Sequence, residues 1–318
     1  MSGSKISSGG PGVSSSPSTI ARPETSASLA TSPNMNPRKL GTYTKNTWCP
    51  GCGNFSILSA MQTVLASMHD EDYPLENVVI VSGIGCHAKI SDYLNVNSFY
   101  SIHGRTLPVA TGIKLANPDL KVICFSGDGD SLAEGLDHLI FAAKRNLDIT
   151  LILHDNRVYG LTTGQYTPTS PLGFKGKSTP MGTEELSMNP IELMLVSGAT
   201  YLARGYTHGI DLLRKLFRDA IMHKGFSFVD TLQVCVTYFN MYETYNKKVY
   251  EVQGNDASSF DEAMKIARSW DYNNMEAPIP LGKFYDIDKP RFDQVFPGYE
   301  PHPVDRDAKI REVLDSLI

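Results

Sequence analysis

The chain has 318 residues, with 29 lysines and arginines against 34 aspartates and glutamates, and is 41% apolar. That apolar share is enough for a core, which excludes a wholly disordered protein, and a formal charge of −5 leaves no basic surplus for nucleic acid. The longest apolar runs, around 78–81 and 151–153, fall far short of the roughly 20 residues that a membrane helix needs.

Of residues 1–38, 23 are Ser, Thr, Pro or Gly. Such a segment cannot bury enough surface to offset its ordering entropy, so a disordered tail is expected over 1–40. Its single acid, Glu24, and its serines faintly resemble an organellar transit peptide. Arg22 and Arg38 are its only arginines, however, and no basic amphipathic helix appears, so a solvated tail is preferred. It shows no apolar run of the secretory type.

From Asn54 to Met68, the apolar residues Phe55, Ile57, Leu58, Met61, Val64 and Leu65 recur at helical spacing. NVVIVS at 77–82 reads as a buried strand running into Gly83-Ile84-Gly85. KVICFS at 121–126 repeats the pattern and ends in Gly127-Asp128-Gly129. A helix is predicted at about 131–146, with Leu132, Leu136, Leu139, Ile140 and Ala143 on one face. DITLILH, from Asp148, runs into Asp155-Asn156. Strands at 199–204 and 227–234 flank a helix at 210–223. This alternation predicts an α/β fold over 41–240, a mostly parallel sheet covered by helices on both faces. Ligands of such sheets bind outside the carboxyl ends of the strands, so three glycine- or acid-rich strand ends point at one crevice. Residues 241–318, polar and rich in Tyr and Pro, read as a C-terminal arm with helices near 259–270 and 307–317.

Two constellations carry chemistry. The first is Gly127-Asp128-Gly129-Asp130, with 25 residues separating its second glycine from Asp155-Asn156. Glycines at a strand end let backbone N–H groups approach a phosphate, and a following helix favours its charge. Asp128 and Asn156 offer a carboxylate and an amide oxygen, which suit Mg²⁺ shared with a diphosphate. A plain turn with a helix cap is the alternative for either part alone.

The second is the cysteines, five in number. Cys49 and Cys52 flank the Pro50-Gly51 turn in TWCPGCGN, while Cys86 and Cys235 close strands. Cys124 lies within a strand and reads as core packing. Four thiols at element ends suit either zinc or an iron–sulfur cluster, and a redox pair with unrelated free cysteines is the plainer alternative. An odd, sparse cysteine count fits a reduced, cytoplasmic setting better than disulfides.

The spaced GDG and DN resemble the thiamine diphosphate signature. Together with TWCPGCGNFSIL, GIGCHAKI, SIHGRTLPVATGIKLANPDL, HDNRVYGLTTGQYTPTS and LQVCVT, they make residues 42–250 resemble the β subunit of 2-oxoacid:ferredoxin oxidoreductases, nearest the two-subunit 2-oxoglutarate type. The resemblance implies a thiamine diphosphate-binding fold. The implied reaction is oxidative decarboxylation of a 2-oxoacid (2-oxoglutarate, then pyruvate) with CoA, giving acyl-CoA and CO₂ and reducing ferredoxin. It implies that Cys49, Cys52, Cys86 and Cys235 ligate a 4Fe–4S cluster. It places Mg²⁺ on Asp128, Asn156 and the carbonyl of Val158, and the diphosphate along Gly127, Gly129 and Asp130. Ile84, Gly85 and His103, with Leu161 and Thr162, would border the rest of the cofactor, His103 being the candidate catalytic group. The carboxylate that activates thiamine would come from an α subunit, giving a heterotetramer inactive without it.

Several neighbours are open to plainer readings. His87 would either tune a cluster sulfur or face solvent, and Arg105 would anchor a backbone carbonyl in preference to a substrate carboxylate. Thr163 stands where many relatives carry Lys. Residues 166–170 read as a mobile loop over the site. A zinc-stabilised, non-catalytic scaffold is the competing function.

Overall fold

The computed structural model describes residues 34–292 and 305–317. A 3₁₀ turn at Pro37–Leu40 leads into α1 (Asn54–Asp70), β1 (Val78–Ser82), α2 (Ile90–Tyr93), β2 (Asn97–Tyr100) and α3 (Thr106–Ala116). Then follow β3 (Lys121–Gly127), α4 (Leu136–Lys144), β4 (Ile149–Asp155), α5 (Pro190–Ser197), β5 (Tyr201–Tyr206) and α6 (Ile210–Met222). β6 (Ser227–Leu232), α7 (Tyr242–Lys248), β7 (Val249–Glu251), α8 (Phe260–Arg268), β8 (Ile279–Asp286) and α9 (Arg306–Asp315) complete the order. One sheet runs β2-β1-β3-β4-β6-β5-β8-β7, parallel throughout except where β8 pairs antiparallel to β5.

The central strands β3, β4, β6 and β5 are buried on both faces, which explains their near-continuous apolar sequence. Ile123 and Phe125 of β3 and Ile152 of β4 turn to the face where α1 and α6 pack through Met61, Val64, Leu65, Leu213 and Phe217. Their neighbours Val122, Cys124, Leu151 and Leu153 turn to the opposite face, against α3, α4 and α5. The period of two along a strand thus divides one apolar run between two cores. Cys124 is fully buried, in keeping with its reading as core packing.

Register aligns the strand ends that matter. Gly127 pairs with His154, and Asp155 pairs with Leu232, so β3, β4 and β6 stop at one level. β1 joins them from the other side of β3. Residues 83–86, 128–130, 156–162 and 233–235 therefore leave the sheet on one rim.

Local structure departs from expectation in places. The helix read at 131–146 opens as a wide π turn at Asp130–Glu134 and becomes α only at Leu136. Asp130 at its start is held by the Ser126 hydroxyl and the Gly104 N–H. β5 begins two residues late because Gly198, left-handed at φ +97°, closes α5 just before it. Residues 241–286 are not an arm, as expected, but part of the sheet and its core. β8 pairs with β5, and Trp270, Tyr272, Ile279 and Leu281 build a third apolar cluster with Tyr206, Leu232 and Val234. Of the tail expected over 1–40, residues 1–33 lie outside the described residues; Leu40 is buried and its carbonyl accepts from the Asn95 N–H. Among the described residues, no helix is long and apolar enough to cross a membrane.

Candidate functional site

A cleft opens at the shared rim, lined by Ile84–His87, His103, Gly127–Asp130, Asn156 and Val158–Thr162. Every cofactor and cation residue nominated from sequence borders it: Ile84, Gly85, His103, Gly127, Asp128, Gly129, Asp130, Asn156, Val158, Leu161 and Thr162.

Its floor is glycine backbone packed closely against two rings. A Cβ on Gly127 would stand 2.8 Å from the His87 ring, and one on Gly129 only 2.3 Å from the Tyr159 ring. Side chains are thereby excluded from both positions. The described lining holds no Lys or Arg, yet includes Asp128 and Asp130. A diphosphate there needs a divalent cation to offset the like charge, and the donor set on either side of the floor is of the right kind.

Asp128 accepts from the Thr167 and Thr169 hydroxyls at 2.5 and 2.6 Å. Thr169 also lies 2.9 Å from Asp155 Oδ1. One hydroxyl proton serves both carboxyls only if one of them is itself protonated. Burial, with Asp230 and Asp128 close by, holds Asp155 well above the usual carboxylate range, and burial raises Asp128 as well, against the pull of its Thr167 and Thr169 bonds. The segment 166–170 is therefore not a mobile cover. Thr167, Thr169 and Ser170 are buried beneath the cleft, and Ser170 donates to the Arg157 carbonyl. Asn156 is equally fixed. Its Nδ2 donates to Gln233 Oε1 at 3.0 Å, and its Oδ1 accepts from the Val158 N–H at 3.0 Å.

The Asp130 carboxyl is held within the chain. It accepts from Ser126 and from the Gly104 N–H, and it lies 2.9 Å from His103 Nδ1 and 3.4 Å from His87 Nε2. Burial alone would raise its pKa, but His103, His87 and Ser126 prevail and hold it far below the ordinary range. The Asp130 carboxylate in turn raises the His103 pKa against the effect of burial. His87 is buried against this carboxylate, so neither reading from sequence, a sulfur contact or a solvent-facing ring, describes its place. Arg105 reaches the carbonyls of Gly104 and Glu134, as its structural reading anticipates. Glu134 accepts from the Tyr159 hydroxyl at the cleft mouth, and Lys177 donates to Thr163 Oγ1 nearby.

The four nominated cysteines gather behind the cleft. Pro50 and Gly51 form a turn closed by the Cys52 N–H on the Cys49 carbonyl, with Gly51 at φ +81°. Trp48 Nε1 donates to the Cys86 carbonyl at 2.6 Å, and the Gly53 N–H donates to the Val234 carbonyl. These bonds pin the turn to the ends of β1 and β6. The Cys86 and Cys235 sulfurs each lie 3.6 Å from where a Gly160 Cβ would be. Burial, then the proximity of Cys235, Cys86 and Cys49, pushes the Cys52 thiol up to about 12. Burial, Cys235 and Cys49 push Cys86 up to about 11. Among the described residues, no three His, Cys, Asp or Glu side chains converge on a single ion. Cys86 and Gly160 belong to both the cysteine group and the cleft wall.

Thr167, Thr169 and Gln233 were not legible as site residues, since a lone Thr or Gln in a loop carries no chemical signature. Only the spacing to the fixed Asp128, Asn156 and Cys235 could have drawn attention to them.

Comparison with known proteins identifies relatives of the chain. Residues 83–231 match the thiamine pyrophosphate enzyme C-terminal TPP-binding domain, and residues 235–301 match the C-terminal family of pyruvate ferredoxin oxidoreductase beta subunits. The chain is 44% identical to 2-oxoacid:ferredoxin oxidoreductase 1, subunit beta, of Aeropyrum pernix, over 75% of this chain and 77% of that one. It is 35% identical to the 2-oxoglutarate synthase subunit KorB of Methanocaldococcus jannaschii, over 77% and 89%. A solved 2-oxoglutarate:ferredoxin oxidoreductase from Magnetococcus marinus, with 2-oxoglutarate, coenzyme A and succinyl-CoA bound, superposes at a TM-score of 0.78. That match is 32% identical and covers 91% of this chain and 94% of the other.

Proposed function

The chain belongs to the β subunits of 2-oxoacid:ferredoxin oxidoreductases, a thiamine diphosphate-binding family, and we propose that its substrate is 2-oxoglutarate, ahead of pyruvate. The oxidoreductase would convert it with CoA to acyl-CoA and CO₂ and pass the electrons through a 4Fe–4S cluster to ferredoxin, in the cytoplasm. The names of the KorB relatives and of the solved structure support the choice of 2-oxoacid.

The observation that carries the redox reading is the shared wall: Cys86 lines the cleft and also belongs to the group of four cysteines. When bound, thiamine supplies an electron sink for decarboxylation, and a cluster takes up electrons one at a time. This chain's residues hold and orient those groups. Gly127 and Gly129 would lie along the diphosphate, while Asp128, Asn156 and the Val158 carbonyl, all lining the cleft, would hold Mg²⁺. Thr167 and Thr169 fix the Asp128 carboxylate. His103, lining the cleft 2.9 Å from Asp130, would be the group to exchange a proton with bound substrate. The carboxylates lining the cleft or at its mouth, Asp128, Asp130 and Glu134, are each already bonded within the chain. The family resemblance implies that the carboxylate activating thiamine comes from the α subunit.

Anaerobic purification with iron, sulfide and zinc analysis tests this reading. About four irons per chain are expected, lost or reduced to about three in Cys235→Ser. One zinc and no iron in protein made with ample iron would favour the scaffold instead.

A further inference from the structure

Gln233 sits where the two halves of the site meet. It directly follows β6 and is 1% exposed. Its Oε1 accepts from Asn156 Nδ2 at 3.0 Å. Its Nε2 donates to the Val234 carbonyl at 2.7 Å and to Cys52 Sγ at 3.5 Å. An amide has one accepting end and one donating end, so this arrangement has a direction. Turned over, it would set NH₂ against the NH₂ of Asn156 and a carbonyl oxygen against sulfur. The direction passes on to Asn156, whose oxygen is thereby kept on the Val158 side, towards the cleft.

We propose that Gln233 is a positioning residue that couples the cation end of the cofactor site to the cysteine group. One end of its amide keeps the Asn156 oxygen facing the cation, and the other gives an N–H to the Cys52 sulfur. The proposal rests on the function proposed above and deepens it. A donor to a ligating sulfur favours the more negative, reduced state of a cluster, so its loss shifts the midpoint to more negative potential. Loss of the Asn156 partner weakens cation binding, typically about tenfold or more for groups that orient a ligand. Thr237 offers a comparison, because its hydroxyl donates to Cys49 Sγ at 3.3 Å from the exposed side.

The test uses the complex with its α subunit, purified anaerobically, as wild type, Gln233→Leu, Gln233→Glu and Thr237→Val. Two readouts are taken: an EPR-monitored redox titration of the cluster, and the Mg²⁺ dependence of thiamine diphosphate binding by fluorescence quenching. Gln233→Leu is expected to move both, the midpoint to more negative potential and the half-saturating Mg²⁺ up about tenfold. Thr237→Val is expected to move the midpoint alone. Gln233→Glu keeps the acceptor for Asn156 and puts negative charge beside Cys52. It lowers the midpoint but leaves Mg²⁺ half-saturation within about twofold, and it keeps the test decisive if the leucine variant fails to fold. A folded Gln233→Leu complex that retains its iron and shifts only one readout, or neither, overturns the coupling. Wild-type complex without iron would overturn the proposed function as well, which separates the two failures.

Discussion

At the scale of single residues, the site rests on charge placement. Asp130 is depressed and His103 is raised, each by the other, so the pair is ionised together between their ordinary values of 3.8 and 6.5. The Asp130 contribution to stability is present above the unfolded carboxylate pKa and is lost as pH falls through its depressed folded value. The His103 contribution is complete below the unfolded imidazole value and is lost as pH rises through its raised folded value. His103 is therefore expected to titrate above 6.5 by ring-proton NMR, and Asp130→Asn is expected to bring the midpoint down. A midpoint unmoved by that substitution would contradict the pairing. The nominated residues Cys49, Cys52, Cys86, Cys235, Asp128 and Asn156 stood out in the sequence because such side chains have few common uses at the ends of elements. His87 was misread because its neighbour in sequence is a cysteine while its neighbour in space is Asp130.

At the scale of elements, β5 and β6 carry a charge pair that the alternation of apolar residues does not reveal. Arg204 and Asp230 are fully buried, 2.7 Å apart, and Tyr272 from the segment before β8 donates to the same Asp230 oxygen at 2.7 Å. The guanidinium also lies 4.9 Å from the Trp270 ring centroid and 5.4 Å from that of Tyr272. Arg204→Ala would strand a buried carboxylate and is expected to cost about 3–5 kcal/mol in urea unfolding. The double variant Arg204→Met, Asp230→Leu should recover most of that loss, since no charge is then left unpaired. Equal instability of the two variants would show that packing against Trp270, not charge, sets the loss. The same segment explains the mistaken arm: Tyr- and Pro-rich sequence looks solvated, but its aromatic rings cover the pair and β8 extends the sheet.

At the scale of the whole molecule, the apolar side chains of Phe99, Tyr100 and Ile102 stand exposed just ahead of His103, and Leu161, which lines the cleft, is exposed too. An exposed apolar patch next to the cleft in sequence suits coverage by the α subunit. The isolated chain is expected to show no 2-oxoacid oxidation. Ile102→Asp should reduce co-purification with the α subunit, read by size-exclusion chromatography with light scattering, while leaving the circular dichroism unchanged. Undiminished assembly would move the interface elsewhere. By itself, the sequence determined the strand–helix alternation, the cysteine and GDG constellations and the family they resemble, because periodicity and rare side chains are local signals. Tertiary structure decided which loops lie beneath the site, that residues 241–286 complete the sheet, and that Gln233 stands between Asn156 and Cys52. Those outcomes depend on strand register and on the burial of ordinary polar residues, which take their roles only from the neighbours that folding gives them.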